Sequence, residues 1–258
     1  MFSGKKSQVT MFIILGIVIL AVVFAVFYFL GDKITKQSET DIIFDEGSID
    51  PVRNLVKDCV EKEVIKGAEL VGKQGGYYDP VKYYTIGEYN LSYDCYFNSN
   101  GNNVNNLPTL FRISREIEEY LRTDESVSAV DECIDDFNSF EGYKFDEGDR
   151  EINIDISNEV IIVDVDYPIE IKKGNSVLSM EGVKFDVLSG LGTAYYVAVD
   201  VINKECNGEE FDLDNYILEH NPLAYIERQR SENRLYYYIT SIPQGDEDEF
   251  RFHFIVEK

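Results

Sequence analysis

Glu151-Ile152-Asn153-Ile154-Asp155-Ile156 and Val163-Asp164-Val165-Asp166-Tyr167 alternate strictly between apolar and polar side chains. Successive side chains of a strand point to opposite faces, so this two-residue period predicts two half-buried strands. Ser157-Asn158, just after the first run, predicts a hairpin between them. One face of such a pair must lie on a core, and the other carries a row of acids. This stretch decides the fold class, because the residues before it follow a different period.

Upstream, Val52, Leu55, Val56, Cys59, Val60, Val64, Ala68 and Val71 recur at helical spacing. They predict an amphipathic helix over 51–72, opened by Asp50-Pro51, a capping residue and a first-turn proline. Gly72-Lys73-Gln74-Gly75-Gly76 closes it. A phosphate loop follows a strand and opens a helix, so a glycine cluster that ends one has the wrong order for that role. Residues 77–97 read as aromatic and irregular, with short strands around Tyr83 and Tyr93. NSNGNNVNN at 98–106 reads as a disordered loop. Leu107-Pro108 starts a second helix to about Arg122, with Leu110, Phe111, Ser114, Ile117, Tyr120 and Leu121 near one face. A short helical turn over 127–134 carries Cys133.

Downstream, Pro168 interrupts the strand pattern, and a strand returns over 177–188. Helices follow at 190–204 and 212–219. The end of the chain reads as a three-stranded meander, 223–228, 235–242 and 249–256, with Phe250, Phe252 and Phe254 on one face of its last strand. The predicted class is α+β, with helices packed on mainly antiparallel sheet, as a helical half (49–148) and a sheet-rich half (149–258) of one domain (49–258).

Ahead of that domain, residues 9–30, VTMFIILGIVILAVVFAVFYFL, form 22 consecutive uncharged residues. As a helix they would span about 33 Å, enough for a hydrocarbon core of about 30 Å. They predict a single-pass transmembrane helix after a short basic segment (1–8), followed by a polar tether (31–48). Bulky residues at Tyr28-Phe29-Leu30 leave no small-residue exit for a signal peptidase, so the run reads as a retained anchor.

The first 30 residues hold two lysines and no acid, so the rest of the chain carries 22 basic and 48 acidic residues and a net charge of −26. Such a domain repels phosphate backbones, which excludes nucleic acid as a partner. Lys5 and Lys6 before the run balance Lys33 and Lys36 after it, so the basic residues do not orient the helix by themselves. The cysteines say more. All four, Cys59, Cys95, Cys133 and Cys206, lie beyond the anchor, and an even count there predicts two disulfides in an oxidising compartment. Three pairings exist; Cys59–Cys133 with Cys95–Cys206 is favoured because the first two sit in segments that both read as helical. Asn90-Leu91-Ser92 is the single N-x-[ST] acceptor for a glycan. The domain is expected outside the cell membrane.

Chemistry is sparse. No G-x-S-x-G, H-E-x-x-H, P-loop or C-x-x-C occurs, and no cofactor is implied. Asp155, Asp164 and Asp166 could share a metal ion, although no D-x-D-x-D-G loop frames them. Of the two histidines, His253 alternates with phenylalanines on the last strand and is expected to face solvent. His220 falls at a helix end, where an imidazolium suits the dipole. Tyrosine runs at Tyr77-Tyr78, Tyr83-Tyr84, Tyr195-Tyr196 and Tyr236-Tyr237-Tyr238 must leave some rings exposed, which suits a surface that binds protein or glycan.

Lys5-Lys6-Ser7-Gln8, leading into the apolar run, resembles the start of archaeal type IV pilin-like proteins. That resemblance implies cleavage between Ser7 and Gln8, with the helix kept as anchor and filament core. Pilins commonly carry a Glu five residues in, and here that position is Phe12. The Lys5-Lys6-Ser7-Gln8-Val9-Thr10 opening, the Gly72-Lys73-Gln74-Gly75-Gly76-Tyr77 segment and Cys133 together resemble uncharacterised single-pass membrane-anchored proteins of small-genome archaea; this implies anchoring and no particular activity. The expected function is a non-enzymatic, membrane-anchored cell-surface protein whose acidic ectodomain serves interaction or envelope structure. Its partners would be the lipid bilayer, through the N-terminal helix, and a protein or further copies of itself. A pilin-like filament subunit is the alternative, and an extracytoplasmic hydrolase using scattered carboxylates is the third reading.

Overall fold

The computed structural model describes residues 48–220, 224–243 and 249–258. The anchor expected at 9–30, the tether as far as residue 47 and the Ser7–Gln8 processing site lie outside the described residues. Among the described residues, no helix is long and apolar enough to cross a membrane.

Helix α1 (Asp50–Lys73) buries Val52, Val56, Cys59, Val60, Val64, Ala68 and Val71 along one stripe, as their spacing predicts. The stripe touches both sheets of the fold and two further helices. One of these is α2 (Leu110–Leu121), capped by the Thr109 hydroxyl, which accepts from the Arg112 N–H at 3.2 Å. At Gly67 an added Cβ would lie 2.6 Å from the Tyr120 ring, so glycine lets the two helices approach. The other is α3 (Asp124–Ile134), capped in the same way by Thr123.

The buried face of α2 keeps Ser114, Ile117 and Leu121 of the predicted one but departs from it at Phe111 and at two acids. Phe111 is 70% exposed, whereas Glu116 and Glu118 are buried beside Ile113 and Ile117. Both acids are inside with an arginine and a backbone N–H beside them. Glu116 takes Arg112 at 2.5 Å and the Tyr78 N–H at 2.9 Å, and Glu118 takes Arg115 at 2.6 Å and the Ile154 N–H at 3.1 Å.

The predicted sheet-rich half holds three strands of a four-stranded antiparallel sheet, whose fourth, β4 (Lys144–Glu147), lies in the predicted helical half. Strands β4 and β5 (Glu151–Ile156) pair end to end with one edge of β6 (Val160–Lys173), and β7 (Ser176–Leu188) pairs with the other. The Ser157-Asn158 hairpin lies where the alternation puts it. Pro168 does not interrupt β6. The strand runs through it, and the β6–β7 register shifts between Asp166 and Ile169, a bulge that needs no N–H there.

The second sheet joins the two sequence halves. Its order is β1 (Tyr83–Ile86), β2 (Tyr89–Phe97), β10 (Phe250–Glu257), β9 (Arg234–Ser241) and β8 (Ala224–Ser231), with β3 (Asn103–Asn105) also on β2. The C-terminal meander is as predicted. The short strands expected around Tyr83 and Tyr93 are β1 and the nine-residue β2, and β2 pairs in parallel with the last strand at Tyr93–Ile255 and Cys95–Val256. The Asn-rich loop is a hairpin: Asn98 Oδ1 accepts from the Asn100 and Asn102 N–H groups at 3.0 Å each. Phe250, Phe252 and Phe254 face inward, where α4 (Leu191–Cys206) covers β8, β9 and β10. Helix α5 (Leu213–His220) follows, its start capped by Asp212, whose Oδ1 accepts from the Asn215 N–H at 3.1 Å. The fold is thus α+β, with one mixed and one antiparallel sheet.

Two disulfides brace it. Cys59 of α1 joins Cys133 of α3, and Cys95 of β2 joins Cys206 at the end of α4, with Cα separations of 5.6 and 5.7 Å. This is the pairing favoured from the helical setting of the first two.

Candidate functional site: the outer face of the six-stranded sheet

Helices α1 and α4 lie on the inner face of this sheet, so the side chains at alternate positions form an outer face. Register places them in rows across the strands. Tyr225, Thr240 and Arg251 form one row, Glu227, Tyr238 and His253 the next, and Gln229, Tyr236 and Ile255 a third. The third row continues onto β2 and β1, where Leu91, Tyr236 and Ile255 make a small buried cluster flanked by Tyr89, Tyr93 and Tyr238.

The two ends of this face differ. Toward β1 the aromatic rings are capped by cations: Lys82 lies 3.9 Å from the centre of the Tyr96 ring and Arg234 lies 4.4 Å from that of Tyr84. Lys73 lies 5.3 Å over Tyr89. Toward β8 the face opens into a concavity of about 700 Å³, with Tyr225, Glu227, Tyr238, Arg251 and His253 among its walls. Tyr225 is 67% exposed. Two side-by-side pairs hold the polar groups, Arg251 with Glu249 at 3.2 Å and Gln229 with Glu227 at 3.2 Å.

His253 corrects its sequence-based reading. It is half-buried in the outer face, edge-on to Tyr238 with ring centres 4.9 Å apart. Burial, followed by the charges of Arg251 and Lys73, pushes its pKa down to about 4. At neutral pH the ring is uncharged, one nitrogen donating and the other accepting.

A second concavity of about 580 Å³ lies beside α2, α3 and the β4–β5 turn. Both of its arginines are paired with acids. Arg150 binds Asp131 at 2.8 Å, Arg122 reaches Glu118 at 3.4 Å, and the Tyr167 hydroxyl donates to Glu147. Such a network reads as structural.

The other residues singled out in sequence do not gather. Asp155, Asp164 and Asp166 share the solvent face of β5 and β6, but Asp164 pairs with Lys184 at 3.4 Å and the three converge on no point. Among the described residues, no group of three potential ligands could hold a metal ion. The reason is geometric: alternate positions on a twisted sheet spread carboxylates along a surface, whereas a metal needs them around a centre. Asn90 lies in β2, where its Oδ1 accepts from the Thr85 hydroxyl at 2.9 Å and its partner Ser92 is fully buried.

Of the tyrosine runs, Tyr236 and Tyr238 reach the outer face while Tyr237 points into the core, as adjacent strand residues must. Tyr225, Glu227 and Gln229 were missed as site residues. Their signal was the alternation across 224–230, visible as a strand, but its free face became meaningful only beside β9. Comparison with protein-family models, with curated proteins and with solved structures finds no match for this chain.

Proposed function

We propose that this chain is a non-enzymatic, single-pass membrane-anchored protein that displays an acidic α+β domain outside the cell and binds a partner through the open end of the outer sheet face. The observation that carries the reading is the concavity at Tyr225. It joins an exposed aromatic ring to polar groups held in fixed pairs, on strands whose other side is locked into the core. Two disulfides within the domain support an oxidising setting. The apolar run at 9–30 supports the anchor. A binding role is also favoured by His253, whose lowered pKa removes the charge change that general acid–base work at neutral pH would use.

Protease added to intact cells tests the arrangement. The domain is expected to be degraded without lysis, leaving a short membrane-bound fragment. Full protection until the membrane is broken would overturn it.

A further inference from the structure

The open end of the outer face recognises a particular class of ligand: we propose that it is a subsite for an uncharged, hydroxyl-rich glycan stacked on Tyr225. This rests on the binding role above and names its ligand. A sugar ring presents an apolar C–H face and a rim of hydroxyls, each able to donate and to accept. Among the described residues no ring or cation covers Tyr225, whereas Tyr84, Tyr89 and Tyr96 each carry a Lys or Arg. Stacking is therefore confined to the β8 end. Around that ring stand acceptors (Glu227), donors (Arg251) and groups that do both (Gln229, Thr240). His253 adds an uncharged ring that also does both.

These groups come from alternate positions of three paired strands, and the Glu249–Arg251 and Glu227–Gln229 contacts hold them in place. Charge selects against one competing class. The domain's net charge opposes a polyanion. Among the described residues, Arg251 is the one cation lining the concavity and stands beside Glu227 and Glu249, so a polycation is the competing class that the charged beads below test.

The full chain in nanodiscs of uncharged lipid would be passed over cellulose, chitin and mannan beads, with dextran sulfate and poly-L-lysine as charged counterparts. Retention is expected on at least one neutral polysaccharide and should persist in high salt, which screens charge contacts. Tyr225→Ala should weaken it at least about tenfold, as for an aromatic anchor, while Tyr225→Phe keeps the ring and most of the binding. Tyr225 is exposed, so neither change should disturb folding. No retention on any neutral bead, or retention that Tyr225→Ala leaves unchanged, overturns the proposal. Binding to poly-L-lysine alone, weakened by Tyr225→Ala, would keep the sheet face as the interaction surface and remove the glycan. If Tyr225→Ala alters binding to none of the five, the sheet-face reading falls as well.

Discussion

A Cβ added at Gly75 would stand 3.1 Å from Oδ2 of Asp94, so the turn that ends α1 closes directly over a buried carboxyl group. Asp94 occupies the point where the β2–β10 register shifts between Tyr93 and Cys95. It is fully buried, and neither its oxygens nor the neighbouring Ser92 hydroxyl has a well-formed hydrogen bond. Burial pushes its pKa well above the usual carboxylate range, opposed only by Ser92.

Asp94 should therefore make the domain less stable as pH rises. A carboxyl whose folded pKa exceeds its unfolded value of about 3.9 binds protons more tightly when folded, so its stabilising effect is complete below that pH and is lost above it. Asp94→Asn is expected to exceed the parent by about 1–3 kcal/mol at neutral to alkaline pH, with the gap closing toward about pH 4. Urea midpoints of both proteins across pH decide this; a constant gap would show that Asp94 does not titrate in that window.

Gly75 has φ of +78°. Gly75→Ala is expected to cost about 2–4 kcal/mol, from the left-handed backbone and from contact with Ser92 and Asp94. A thermal midpoint within a degree of the parent would mean the turn yields freely.

His253 has the opposite sign from a paired histidine. Its pKa of about 4 lies below the ordinary value, so the unfolded chain takes up the proton first as pH falls. Stability from this group is complete above about pH 6.5 and is lost on descending to about pH 4, by an amount on the order of 3 kcal/mol. With two histidines in the chain, NMR can follow both rings. One is expected to titrate near pH 4, and two ordinary titrations near 6.5 would refute the buried setting.

Glu205 is fully buried and accepts from the Tyr237 hydroxyl at 2.6 Å and the Phe211 N–H at 3.0 Å, with Lys258 as a further ion-pair partner. Tyr237→Phe removes one donor and leaves the carboxylate in place, so a loss of about 1–3 kcal/mol is expected in chemical denaturation. Glu205→Gln should cost a similar amount by leaving Lys258 and Arg228 less well answered. If the two variants together cost only as much as either one, the groups act as a unit.

Cys59–Cys133 spans 74 residues of chain. Loop-closure entropy puts its contribution at about 4 kcal/mol, and replacing both cysteines with serine should lower stability by that order. Non-reducing peptide mapping should recover Cys59 linked to Cys133 and Cys95 linked to Cys206. Four alkylatable thiols in protein taken from intact cells would contradict both bridges and the oxidising compartment with them.

Some of this molecule was plain in its residues. The helical stripe of α1, the two alternating runs around Ser157-Asn158 and the C-terminal meander are local patterns, repeated with the period of the structure they form. Asp50-Pro51 and the glycines after α1 marked helix ends through the same short-range chemistry. Elsewhere local signals pointed the wrong way. Glu116 and Glu118 look like surface residues until Arg112, Arg115 and backbone N–H groups of distant segments enclose them. Pro168 looks like a break until a bulge takes up its missing donor. The Asn-rich stretch looks disordered until β2 and the Cys206 carbonyl, which accepts from Asn103 at 2.6 Å, hold it.

The sequence by itself determined the α+β class, the long first helix, the C-terminal meander and the acidic charge, because these follow from side-chain periodicity and composition within a few residues. Only the tertiary structure decided that β2 lies parallel to β10, about 160 residues further along the chain. No local pattern encodes such a pairing, since strand partners are selected by complementary faces once distant segments meet. The same meeting creates the outer face, where Tyr225, Tyr238 and His253 become neighbours, and leaves Asp94 sealed beneath Gly75. Burial and register, properties of the assembled sheet, give those residues their chemistry.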